Sequence, residues 1–207
     1  MSADKKMRWP ALSHEVLGSG TISSFVEETV ETPTGELLKR QFLTHPGAVA
    51  IVAWDEEGDR IAVVRQYRHP VRMELVEIPA GLLDVDGEDY QQAAARELAE
   101  EAQLQAGRWN TLVDLFTTPG ACAETLRVFL ARDLSAAPLP EGFVADGEEA
   151  VMTAGFEKRE TLVRWILEGR CQSPSLVAGV LALQVAILSG TLEGLRGADA
   201  PWDARKP

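Results

Sequence analysis

Between Arg96 and Glu101 the chain reads "RELAEE", which sets Glu97, Glu100 and Glu101 close together. Through the same stretch Tyr90, Ala94, Leu98 and Ala102 recur at i, i+4, an apolar stripe at helical spacing. A helix is therefore expected from Glu88 to about Gln103, with Asp86 or Asp89 as its cap. On that helix the three glutamates stand at i, i+3 and i+4, so their carboxylates share the face opposite the stripe. Such a helix has to bury one side and hold a dense negative charge on the other. Like charges at this spacing cost about 0.2–0.5 kcal/mol per pair. Arg96 can bridge to Glu100 at i+4, but one guanidinium does not neutralise several acids. Mg2+ or Mn2+, hard cations that accept carboxylate oxygens, would offset the repulsion. A solvated helix face carrying one Arg–Glu pair is the plainer alternative.

The flanking segments say what the helix packs on. "AVAIVAW" (48–54), "IAVVRQYR" (61–68) and "ELVEIP" (74–79) read as strands before it, and "WNTLVDLF" (109–116), "TLRVFLARDL" (125–134) and "AVMTAGFE" (150–157) as strands after it. Residues 135–147 hold Pro138, Pro140, Gly142 and Gly147 and read as a loop. Helices are expected at "KRETLVRWILEG" (158–169) and from Ser175 to about Ser189. Strands, an inserted helix, more strands and closing helices give an α/β protein, a mixed sheet between helical layers. Ahead of it "ISSFVEETVE" and "LLKRQFLTH" flank the turn "PTGE", a hairpin signal within a β-rich extension over residues 1–46. Residues 47–190 are read as the main domain and 191–207 as a loose tail.

Charge narrows the partners. The chain of 207 residues carries 32 acidic and 20 basic side chains, a formal net charge of −12. Nucleic acid gains nothing from that field. If the chain acts on phosphates, it needs divalent cations and locally placed Lys or Arg. Cys122 and Cys171 form no disulfide framework or metal pattern and read as reduced thiols of a cytosolic protein. The opening "MSADKKMRWP" lacks the apolar core of a signal peptide. "LVAGVLALQVAIL" (176–188) is too short to span a bilayer, so no membrane association is expected.

The helix does not stand alone. Upstream lie Gly81, a loop, and then Glu88, with seven residues between Glu88 and Arg96. The whole resembles the Nudix box, G-x5-E-x7-R-E-U-x-E-E-x-G-U, in which U is a bulky aliphatic residue. Two departures stand out. Six residues separate Gly81 from Glu88 where the pattern has five, and Gln103 takes the place of the last glycine, ahead of Leu104. The longer loop, "IPAGLLDVDGE", resembles the ADP-ribose pyrophosphatase branch of the family. At Gln103 the expectation is either a strained turn or a helix end shifted to Gly107.

The resemblance implies a Nudix-type α/β/α sandwich and a set of roles. Glu97 and Glu101, with Glu100 and the Ala80 carbonyl, would hold Mg2+ or, as alternate ion, Mn2+. Arg96 and Glu88 would orient the loop against the helix, with a purely structural Glu88 as the alternative. "RQYRHP" resembles the branch's "QYR" segment and implies that Arg68 meets the substrate phosphates. "TTPGACAETLRVFLA" resembles its "PG…E…R" segment and implies a substrate role for Pro119 and, for Glu124, a contact to the substrate or to a second metal. "DGEEAVMTAGF" resembles the catalytic loop, with Glu149 as base and Glu148 as the alternative. The implied reaction is hydrolysis of ADP-ribose to AMP and ribose 5-phosphate. Another nucleoside diphosphate derivative, or a non-catalytic nucleotide sensor, are the other readings. In this branch the N-terminal strands are commonly exchanged in a homodimer, which residues 20–45 would suit, as they would a monomer that caps its own sheet. Phe25 is a candidate for stacking on adenine.

Overall fold

The computed structural model describes residues 4–140, 142, 147 and 151–202. Backbone contacts divide the chain into two units. The first comprises Met1–Gly47, Phe116–Thr125 and Pro201–Pro207, and the second Ala48–Leu115 and Leu126–Ala200.

In the first unit the expected hairpin is present. Strands β2 (Ser24–Glu31) and β3 (Leu37–Leu43) pair antiparallel in unbroken register from Phe25↔Leu43 to Glu31↔Leu37. The Gly35 N–H closes the turn onto the Thr32 carbonyl at 2.9 Å. A strand the sequence did not announce, β1 (Ala11–Ser19), pairs along the other side of β2, and all nine of its residues are exposed. With neither face covered, nothing selects a period-two pattern along β1. Beyond β3, Leu43 exchanges two hydrogen bonds of 2.9 Å with Ala121 and Ala123, which seats the 116–125 loop against the hairpin. The half-buried Cys122 lies at that junction as a free thiol.

The second unit is built on strands that read as continuous apolar runs because both of their faces are covered. In chain order it contains β4 (Ala48–Asp55), β5 (Arg60–Arg68), β6 (Met73–Glu77), β7 (Ala80–Leu82), helix α1 (Tyr90–Ala102), β8 (Leu104–Phe116), β9 (Thr125–Ala136), β10 (Thr153–Lys158), helices α2 (Arg159–Leu167) and α3 (Pro174–Leu188), and β11 (Arg196–Gly197). The sheet runs β10-β5-β4-β9-β8-β11, with β6 on β5 and β7 on β4. It is mixed, since β4 lies parallel to β9 and antiparallel to β5 and β7. Alternate residues of the central strands feed two cores. Ala50, Val52, Ile61, Val63, Val128 and Leu130 meet Leu162 of α2 and Leu176, Val180 and Leu183 of α3. Val49, Ile51, Ala53, Ala62, Phe129 and Ala131 meet Ala93, Ala94 and Leu98 of α1. This is the expected α/β/α arrangement. The fit of α3 is close: a Cβ on Gly179 would come within 2.7 Å of Val52 and 3.1 Å of Val128. No helix among the described residues is long and apolar enough to cross a membrane.

Helix α1 starts later than Glu88 because Asp89 caps it, its side chain accepting from Gln92 N–H at 2.8 Å while Gln92 accepts from Asp89 N–H at 2.9 Å. Its end settles the question of Gln103. Gln103 takes the left-handed conformation itself (φ 52°, ψ 41°), and its N–H bonds the Ala99 carbonyl at 3.1 Å. Gly107 lies inside β8 and takes no part. A non-glycine residue in this region costs about 1–2 kcal/mol. Gln103→Gly is thus expected to raise stability by about 1 kcal/mol. A urea midpoint that fails to rise would contradict the strain.

The segment after Gly190, expected to be loose, is anchored through Trp202. β11 pairs with β8 at Thr111 and Asn110. Arg196 reaches Asp114 at 2.6 Å, Glu193 accepts from Arg132 at 2.8 Å, and the Ala200 carbonyl accepts from the fully buried Arg127 at 2.8 Å. The Arg132 bond holds the Glu193 carboxyl below the usual carboxylate range. In the first unit Trp202 lies against Phe116, ring centres 6.3 Å apart. These ties run to residues sixty and more positions away, so no local pattern announces them.

Candidate active site

The second unit brings the Gly81 loop and the acidic face of α1 together. Glu101 Oε2 accepts from the Ala80 N–H at 2.9 Å, so a helix carboxylate holds the loop's backbone. A side chain on Gly81 would occupy the place of the Glu97 carboxylate. That is why this position is glycine: the helix acid lodges against the bare backbone of the loop.

Arg96 is the centre of the charge arrangement. Its Nε and Nη2 donate to the two oxygens of Glu88 at 3.0 and 3.1 Å, a bidentate pair across the loop. Its Nη1 donates to Glu97 at 2.6 Å and to Glu100 at 3.1 Å. The expected i, i+4 bridge is thus one of three carboxylate contacts. The bonds to Glu88 raise the Arg96 guanidinium above its ordinary value, with the charges of Glu97 and Glu88 adding and partial burial opposing. The cation stays protonated at every working pH.

Glu97, Glu100 and Glu101 are hard oxygen donors, as is the Ala80 carbonyl, and in type they suit a divalent cation. Among the described residues, however, no three acidic, histidine or cysteine side chains are grouped as they stand so as to hold a metal ion. Arg96 engages Glu97 and Glu100, and Ala80 N–H engages Glu101. A guanidinium therefore competes for two of the carboxylates an ion would use.

A family model, the NUDIX domain, matches residues 44–154. The chain is 43% identical over 191 residues, 92% of its own length and 89% of the relative's, to a protein of Mycobacterium tuberculosis named ADP-ribose pyrophosphatase. It belongs to the NUDIX family. A Bacillus subtilis protein of the same name is 39% identical over 131 residues, 63% of this chain and 70% of the relative. In fold the chain is similar to a solved structure described as an ADP compounds hydrolase, with a TM-score of 0.71 at 18% identity over 91% of this chain and 98% of the other.

Elsewhere the other NUDIX positions singled out in the sequence fall as follows. Arg68 ends β5, half-exposed, and its Nε and Nη2 donate to Glu77 Oε2 at 3.1 and 2.6 Å. Sequence reasoning missed Glu77, a carboxylate only 6% exposed. The signal was an acid interrupting the apolar "ELVEIP" strand. In the first unit Pro119 lies in the 116–125 loop, where Glu124 accepts a short hydrogen bond from Thr117 and stands 3.7 Å from His45 Nε2. The His45 Nδ1 accepts from Gly47 N–H at 3.0 Å, which leaves the proton on Nε2, toward Glu124. Phe25 is exposed on β2. Glu148 and Glu149 lie outside the described residues. Cys171 is buried, and burial pushes its thiol upward, as suits an inert core side chain.

Proposed function

We propose that the chain hydrolyses the pyrophosphate bond of ADP-ribose, giving AMP and ribose 5-phosphate, with Mg2+ as the working ion. The observation that carries this reading is the Glu97 carboxylate lodged against Gly81 beside Glu101 on the Ala80 N–H. That arrangement turns an acidic helix into a set of oxygens held at one loop. The names of the two relatives support the choice of substrate.

Glu97, Glu101, Glu100 and the Ala80 carbonyl would hold the ion, with Mn2+ as the alternate. Bound there, it would neutralise the charge of the phosphates and acidify the attacking water. Arg96 and Glu88 keep the loop and helix in register. Arg68 supplies a local cation to a phosphate in a chain whose net charge of −12 otherwise repels it. Pro119 and Glu124 contribute on the substrate side. Glu149, with Glu148 as the alternate, takes the proton of the water as its oxygen bonds to phosphorus, the bridging P–O bond breaks and the other phosphate leaves. The protein supplies position and field rather than a covalent step.

The test is product analysis by chromatography after incubation with ADP-ribose and Mg2+. AMP and ribose 5-phosphate in equal amounts, and neither without divalent ion, is the expected result. Release of ADP or of inorganic phosphate would sink the assignment.

We further propose a cytoplasmic homodimer formed through residues 1–46, with 47–190 as the catalytic domain. In β1 every residue is exposed, Leu12 and Val16 at 56% and 54%. A free edge with uncovered apolar side chains calls for a partner strand. Light scattering is expected to give twice the chain mass, and a monomer at micromolar concentration would refute it.

A further inference from the structure

Arg68 and its partner show a division of labour. Ala62 belongs to the core under α1, and β5 alternates without a break in its register with β6 from Val64↔Glu77 to Arg68↔Met73. Arg68 therefore lies on the sheet face that α1 covers. Two of its nitrogens, Nε and Nη2, converge on one oxygen, Glu77 Oε2. Nη1 has no acceptor among the described residues, and the side chain is 40% exposed against 8% for that of Glu77. A carboxylate this buried is held there by its partner, while the arginine keeps one edge toward solvent. Glu77 also stands three residues before Ala80, whose N–H rests on Glu101. One short segment thus ties both the arginine and a helix carboxylate.

We infer that Glu77 is a positioning residue, which locks the Nε–Nη2 side of Arg68 so that the Nη1 edge is presented to a phosphate of the substrate. The inference rests on the reading of Arg68 as a phosphate contact. Glu77 touches no substrate. It removes the rotamer freedom of a long side chain before binding, so that the cost of ordering it does not fall on the complex.

A mere staple between β5 and β6 would move stability alone, whereas positioning moves binding. Steady-state kinetics with ADP-ribose and calorimetric titration with inorganic pyrophosphate, both in Mg2+, separate the two. The variants are Glu77→Gln, Glu77→Asp, Arg68→Lys and the Gln/Lys double variant. Glu77→Gln keeps shape without charge, and Glu77→Asp keeps charge but withdraws it by one methylene. Each Glu77 variant is expected to raise KM and weaken pyrophosphate binding about tenfold, with the larger part of the kinetic effect in KM. The double variant is expected to bind no worse than Arg68→Lys, because the two side chains act as a unit. Glu77 variants with a lower Tm but wild-type KM and pyrophosphate affinity would overturn the inference, as would additive losses in the double variant. If ADP-ribose is not turned over and pyrophosphate still shows the non-additive pattern, the proposed reaction fails and the positioning role stands.

Discussion

Glu101→Gln is expected to lower kcat/KM by about a thousandfold or more while the protein stays folded. The two halves of that expectation rest on different atoms. The amide oxygen of glutamine can still accept from the Ala80 N–H, the 2.9 Å contact that ties the loop to α1. Loop and helix therefore keep their register, and circular dichroism and Tm stay near wild type. What disappears is one negative charge from the oxygens proposed to hold the cation. Charge stabilisation at a reacting phosphoryl group contributes heavily to such catalysis, and losing one element of it costs about 10²–10³ in rate. The lost charge also weakens the hold on the ion whose field the water needs. If the variant unfolds, Glu101 serves the loop more than the ion. Activity within tenfold of wild type would refute it as an essential ligand.

The second large effect concerns Arg96. Replacing it by methionine keeps an apolar stem and removes the cation from Glu88, Glu97 and Glu100, whose side chains are 13%, 12% and 16% exposed. Three carboxylates with little solvent then lose the cation they share. Breaking a buried charge pair in this sense costs about 3–5 kcal/mol, and the 27% exposure of the Arg96 side chain puts the expectation near the lower figure. For a chain of this size about 3 kcal/mol corresponds to a fall in Tm of roughly 6–12 °C. Because Arg96 competes with an ion for Glu97 and Glu100, millimolar Mg2+ is expected to raise the Tm of the variant more than that of wild type. Equal shifts in both would show that the arginine and the ion do not share those oxygens. A Tm unchanged in metal-free buffer would show that the carboxylates had found other partners.

What could be read from the sequence followed the distance over which each feature is determined. The central strands were legible because burial on both faces makes apolar runs of β4 and β5. Helix α1, its Asp89 cap and its glutamate face were legible because they are set by spacings of three and four residues. The box itself was legible because Glu88 meets Arg96, and Gly81 meets Glu97, across a short loop. Long-range partners were not. Nothing near Arg68 in the sequence says that Glu77 will hold it, and nothing in the polar stretch after Gly190 announces its ties to Asp114, Arg127 and Arg132. β1 escaped because an uncovered strand is under no pressure to alternate. Gln103 was the instructive case: the departure from glycine was visible, but only the backbone shows that the chain keeps the turn and accepts its strain.

The central claim is that the carboxylate face of α1 and the Gly81 loop form a metal-dependent site for ADP-ribose. The measurement that bears on it most directly is kcat/KM in Mg2+ for ADP-ribose alongside ADP-glucose, GDP-mannose, NADH and diadenosine polyphosphates. ADP-ribose is expected to exceed every other compound by about tenfold or more, with turnover lost on chelation of the metal. Faster cleavage of a sugar nucleotide, or metal-dependent binding of these compounds without turnover of any, would contradict it.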